Sequence, residues 1–170
     1  LDSYILLALR AEEVKDYISA SELFTILYEK SLKQEYLYRS LQNDLLAKKY
    51  IKLIKRVDVY LKDSPQDPVL QRLKVVSLFD LNRLDEATTL SISLAKMTKN
   101  PNDYILVSDI YSKRQEYDTA LKYLESAYTK EYNEKILDRI SIILYVNLNR
   151  KKEAIAQLET HSRMLGCSER

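Results

Sequence analysis

The chain has 170 residues, 46% of them hydrophobic and 31% charged, with 27 Lys and Arg against 25 Asp and Glu. That balance excludes a disordered chain and a strongly basic phosphate binder, and the longest stretch without a charged side chain, Ile140–Asn149, is too short to cross a bilayer. One Gly, three Pro, one Cys and one His exclude a glycine-built nucleotide loop, a turn-rich sandwich or barrel, an internal disulfide and a His/Cys zinc cluster.

Helix formers dominate, and the chain repeats itself in five units of about 34 residues. The first, residues 1–33, carries Tyr4, Leu7 and Ala8 on one helix and Tyr17, Ala20 and Phe24 around the next. The second, 34–67, has Leu53 in place of a small residue, with Tyr50, Val57, Tyr60 and Pro65 in step. In the third, 68–100, Asp67-Pro68 reads as an N-cap and a first-turn proline, and Gln71 and Lys74 stand where apolar residues are expected. The fourth, 101–134, opens on Asn100-Pro101 and shows helical spacing twice: Tyr104, Val107, Ser108, Tyr111, then Ala120, Leu121, Leu124, Ala127, Tyr128. The fifth, 135–168, repeats Leu81–Ala87 as Leu148–Ala154 with five of seven residues identical, and has Asp138 and His161 at normally apolar or small positions. Asn82 and Asn149 fall in turns, where they tolerate a left-handed backbone. The anchors Ala20, Leu53, Ala87, Ala120 and Ala154 are spaced 33, 34, 33 and 34 apart.

This pattern of early aromatic, small helix contact, second aromatic, small anchor and bulky apolar residue resembles the tetratricopeptide repeat (TPR) family over all five units. The resemblance implies an all-α, right-handed superhelical α-α solenoid of about five helix-turn-helix repeats, forming a single domain over 1–170. It implies that the first helix of each unit, helix A, lines the concave side, and that the second, helix B, lies outside. A two-helix unit cannot bury its apolar face alone, so small anchors let the helices approach and Phe24, Val57, Leu124 and Leu158 fill the gap to neighbours.

Nothing in the residues assembles a catalytic group. His161 reads as a half-buried, hydrogen-bonded side chain, and Cys167 as a free thiol in the tail. The carboxylate pairs Glu12–Glu13 and Asp85–Glu86 point about 100° apart on a helix and form no acid/base couple. Lys48–Arg56 holds five cations in nine residues, read as the solvated face of one helix B, with an acidic partner or anionic surface as the alternative. No enzyme activity, cofactor, metal or nucleic acid is expected.

The groove positions of the A helices read as Ile5 and Leu9, Tyr38 and Leu45, Arg72, Val76 and Phe79, Ile105 and Asp109, and Arg139, Ile143 and Val146. The expected function is non-enzymatic binding of a peptide or amphipathic helix of another protein. Tyr38, Phe79 and Ile105 are its central anchors, and Arg72 and Arg139 fix the polar edge. Two alternatives stand beside it. Strong curl packs these side chains against one another, or the chain is a structural, self-associating piece of a longer repeat array. Ile155, Leu158 and Leu165, with His161, lack their usual cover, so a second copy (a homodimer through this C-terminal edge) or a segment outside this chain is expected there. The chain begins at Leu1 rather than Met; the cytoplasm is the default compartment and export the alternative.

Overall fold

The computed structural model describes residues 1–168, with side chains described through Arg163. Among these residues there are ten α-helices and no strand. They are α1 (Asp2–Glu13), α2 (Tyr17–Ser31), α3 (Gln34–Leu46), α4 (Tyr50–Asp63), α5 (Pro68–Asp80), α6 (Leu84–Thr98), α7 (Pro101–Lys113), α8 (Tyr117–Lys130), α9 (Glu134–Ile142) and α10 (Lys151–Ser168). A short π-helical turn, Ile143–Asn147, follows α9. The odd-numbered helices are the A helices and the even-numbered ones the B helices.

The punctuation is local chemistry. The Asp67 carboxylate accepts from the amides of Val69 and Leu70 at 2.9 and 3.1 Å, and Pro68 opens α5. Asn100 caps α7 ahead of Pro101, and Asn133 caps α9. The turn after each A helix holds a residue with φ between 55° and 62°: Lys15, Lys48, Asn82, Gln115 and Asn149. In the first four of these turns the next amide closes back on a carbonyl five residues earlier, as Lys49 does on Asp44 at 2.9 Å. Only two of the five are the asparagines that the sequence marked.

The fifth A helix departs from the others. Asp67, Asn100 and Asn133 cap their helices 15, 15 and 16 residues before the left-handed residue, so the last unit holds one residue more. The π-helical turn takes it up: Leu148 donates to the Ile143 carbonyl and Arg150 to that of Leu144, six residues back.

The chain forms two compact units, one over Leu1–Leu90 and the second from Ser91 onward. In the first, Ala8, Phe24 and Leu27 form one apolar cluster, and Leu37, Leu41, Leu53, Val57 and Leu70 another. In the second, Ala120, Leu121, Leu124, Ala127, Ile136, Ile140, Ile143, Leu144 and Ala154 form one cluster, with Tyr104, Tyr111, Tyr117 and Tyr128 packed against it. All five anchors of the repeat are buried, Leu53 included.

Candidate functional site

On the A helices of the first unit, Ile5 and Leu9 are half-buried and rest on the Phe24 cluster, while Tyr38 and Leu45 rest on the Leu41 cluster. The Tyr38 hydroxyl donates to Asp67 Oδ2 at 2.5 Å, which ties α3 to the cap of α5. Burial, then the hydrogen bond to Asp67, push the Tyr38 hydroxyl up to about 12. Arg72, Val76 and Phe79 of α5 are also half-buried.

In the second unit Ile105 and Asp109 of α7 are half-buried, and Ile105 rests on the Leu124 cluster. Arg139 of α9 is ion-paired with Asp109, so two of the expected groove residues hold each other. The first unit has a counterpart: Arg39 of α3 pairs with Glu12 of α1, and Asn43 Nδ2 donates to the same carboxylate at 2.6 Å.

Two of the twelve groove positions differ from the other ten. Ile143 is buried in the core and cannot face a groove, whereas Val146 is largely exposed. The extra residue is the reason. A constant step of 34 from Asp109 lands on Ile143, but the cap at Asn133 lies 33 after Asn100, so Ile142 stands at that place. The series Asp67, Asn100, Asn133 carried that signal in the sequence. Ile142, Tyr145 and Val146 line a cavity of about 500 Å³ with Asp138, Ile155 and Leu158. Ile155 and Leu158 thus lack the cover expected for them; Leu165 and Cys167 lie outside the described side chains.

In the basic run Lys48–Arg56 the four lysines are exposed, as a solvated face requires, and only Arg56 departs from that reading. Asp44 is buried in α3 and accepts from Ser21 Oγ at 2.7 Å, Lys52 Nζ at 2.9 Å and Arg56 Nη1 at 2.5 Å. The other Arg56 nitrogen donates to Thr25 and Ser40 at 3.1 and 2.9 Å. Burial pushes the Asp44 carboxyl up, but the hydrogen bonds from Ser21, Lys52 and Arg56 outweigh it and hold the group below the usual carboxylate range. Lys48, Lys49 and Lys55 remain exposed. Gln71 and Lys74 are polar where apolar residues were expected: Gln71 donates to the Pro65 carbonyl at 2.7 Å while its Oε1 is buried without a hydrogen-bond partner, and Lys74 pairs with Asp58 at 2.5 Å. His161 is half-buried, with Nδ1 2.7 Å from the Tyr128 hydroxyl. Among the described residues no group of three or more His, Cys, Asp and Glu side chains is placed to hold a metal, and no helix is long and apolar enough to cross a membrane.

The class is set by these observations: an all-helical repeat protein, with paired antiparallel helices recurring every 33 or 34 residues. Solved structures of MamA share that fold. "MamA 41-end from Desulfovibrio magneticus RS-1" is 13% identical, with a TM-score of 0.76 over 99% of this chain and 97% of that one. "Crystal structure of MamA protein" is 11% identical, with a TM-score of 0.73 over 94% and 88%. A further MamA structure, from AMB-1, is 14% identical, with a TM-score of 0.67 over 95% and 89%. No family model matches the chain, and no curated protein sequence does.

Proposed function

We propose that the chain is a tetratricopeptide-type scaffold without enzyme activity, its five repeats serving as one interaction domain. The ligand is a peptide or an amphipathic helix of another protein, laid along the A helices. The observation that carries this reading is that half-buried apolar side chains recur at the same repeat places: Ile5, Leu9, Tyr38, Leu45, Val76 and Phe79 in the first unit and Ile105 in the second. Such residues keep apolar surface available while their stems stay packed, which suits recognition through alternate anchors. The likeness to MamA supports the scaffold reading through its fold.

A peptide-display selection against the intact chain tests it. Amphipathic sequences are the expected ligands. The double variant Phe79→Asp, Ile105→Asp, with its helical circular-dichroism signal unchanged, should bind them at least about tenfold more weakly. Ligands whose affinity survives the folded double variant would overturn the groove reading.

A further inference from the structure

Successive B helices meet through the same repeat places in each compact unit, and the two versions differ in what fills them. In the first unit Arg56 of α4 reaches toward α2 and α3. It is half-buried and donates to Asp44 at 2.5 Å, Ser40 at 2.9 Å and Thr25 at 3.1 Å. Beside it the Tyr28 and Tyr60 rings meet edge to face at 5.9 Å. Counted from the anchors Leu53 and Ala154, the place of Arg56 belongs to Gln157 on α10, and the places of Lys52 and Tyr60 belong to Glu153 and His161. Counted from Ala20 and Ala120, Thr25 and Tyr28 become Glu125 and Tyr128 of α8. Counted from Lys33 and Asn133, which precede α3 and α9, Ser40 and Asp44 become Ile140 and Leu144.

The second version is not filled. Glu125, Tyr128, Ile140, Glu153, Gln157 and His161, all at the places just matched, line a cavity of about 440 Å³. That volume falls in the range of small-ligand sites. The α10 residues in its wall are those whose α4 counterparts meet α2 and α3, so the cavity is internal to the joint and not part of the outer flank of α10.

The wall holds an acid without a base. Glu125 is half-buried and makes no hydrogen bond or ion pair among the described residues. Glu153 is engaged from the rim, both its carboxylate oxygens accepting from Arg150 at 2.8 and 2.5 Å. None of the described lining residues is a lysine or arginine. His161 adds a second unspent group. Its Nδ1 lies 2.7 Å from the Tyr128 hydroxyl, while Nε2 is buried without a partner. In the tautomer that donates from Nδ1 to Tyr128, Nε2 is an acceptor. Two acceptors thus stand around a place where the first unit keeps a guanidinium.

We propose that this cavity binds an alkylguanidinium, the group that Arg56 supplies in the first unit. The cation lies against Glu125, its planar fork of N–H donors suited to several acceptors at once, and its stem lies along Ile140 and Ala156. An arginine side chain of another protein and a free small guanidine share that chemistry. The site is separate from the A-helix groove, whose reading stands or falls by its own experiment.

The single histidine of the chain reports on the site. Agmatine, titrated into the intact chain at fixed pH and ionic strength, should move the His161 ring resonances in nuclear magnetic resonance spectra along a saturating curve. N-acetylarginine amide separates the sources: saturation by both compounds assigns an arginine side chain, and saturation by agmatine alone a free small guanidine. N-carbamoylputrescine, which carries a neutral urea in place of the guanidinium, should bind at least about tenfold more weakly than agmatine. Gln157→Arg supplies the guanidinium from the chain itself, and Glu125→Gln removes the charge. Each should weaken agmatine at least about tenfold with unchanged helical circular dichroism. No saturation up to about 10 mM agmatine would overturn the proposal. So would equal binding of N-carbamoylputrescine, or an agmatine affinity that survives both folded variants.

Discussion

Asp44 and Tyr111 hold the same place on their A helices, and the two compact units use it in opposite ways. In the amino-terminal unit the place belongs to a buried carboxylate with two cations and a hydroxyl around it. In the carboxy-terminal unit Tyr111 stacks on Tyr123 at 5.6 Å beside a cluster of Ala, Leu and Ile. One packing scheme thus accepts either directional polar contacts or plain volume. The polar version specifies its partners by geometry and fails when one is removed. The apolar version fails in proportion to the space left empty.

The largest effect should come from cutting the polar version. Asp44→Ala leaves Arg56 half-buried without its carboxylate, and about 3 kcal/mol or more of stability should be lost. Urea unfolding gives the total, and hydrogen exchange should place the loss within residues 1–90. Leu124→Ala is the matching cut in the second unit, where a fully buried leucine should cost roughly 3 kcal/mol by the same measurement. Exchange protection should then fall from Ser91 onward. Equal losses in both units from either variant would end the contrast.

Acid separates the units more gently. Because the folded carboxyl of Asp44 titrates below its ordinary value of 3.8, its contribution is fully present above that value. It is lost as pH falls through the lowered one. Acid-induced loss of protection should therefore appear around α3 and α4, and Asp44→Asn should flatten the pH dependence there. The smallest expected effect is that of Tyr38→Phe. Loss of the hydrogen bond to Asp67 should cost about 1 kcal/mol. The variant should also lack one tyrosine that ionises near 12, above the ordinary 10.0, in a spectroscopic titration. The sign agrees, since the contribution of Tyr38 is whole below 10 and disappears as pH rises toward 12.

Sequence periodicity reached the repeat because packing demands it: small anchors must recur wherever two helices touch, and Asp67 and Asn100 can only be caps before proline. It did not reach the interior of the first unit. A charged residue such as Asp44 or Arg56 reads as solvated until three dimensions supply its partners. Nor did it reach the fifth A helix. There a constant step hid one added residue and put Ile143 on the face that Ile142 occupies. The exposure of Tyr4 and Leu7 was hidden for a related reason. Both match the repeat pattern, but the pattern encodes what a residue packs against, and among the described residues no helix lies before α1.

The left-handed turns have a consequence for engineering. A chain with a single glycine closes these turns with lysine, glutamine and asparagine, side chains that sit at positive φ only at some cost. What holds them there is the closing hydrogen bond and the helices on either side. Glycine at Lys15, Lys48 or Gln115 would relieve that strain without touching any apolar face. The fold thus contains unused headroom at regular intervals, in the connections rather than in the core, where thermal tolerance could be raised turn by turn.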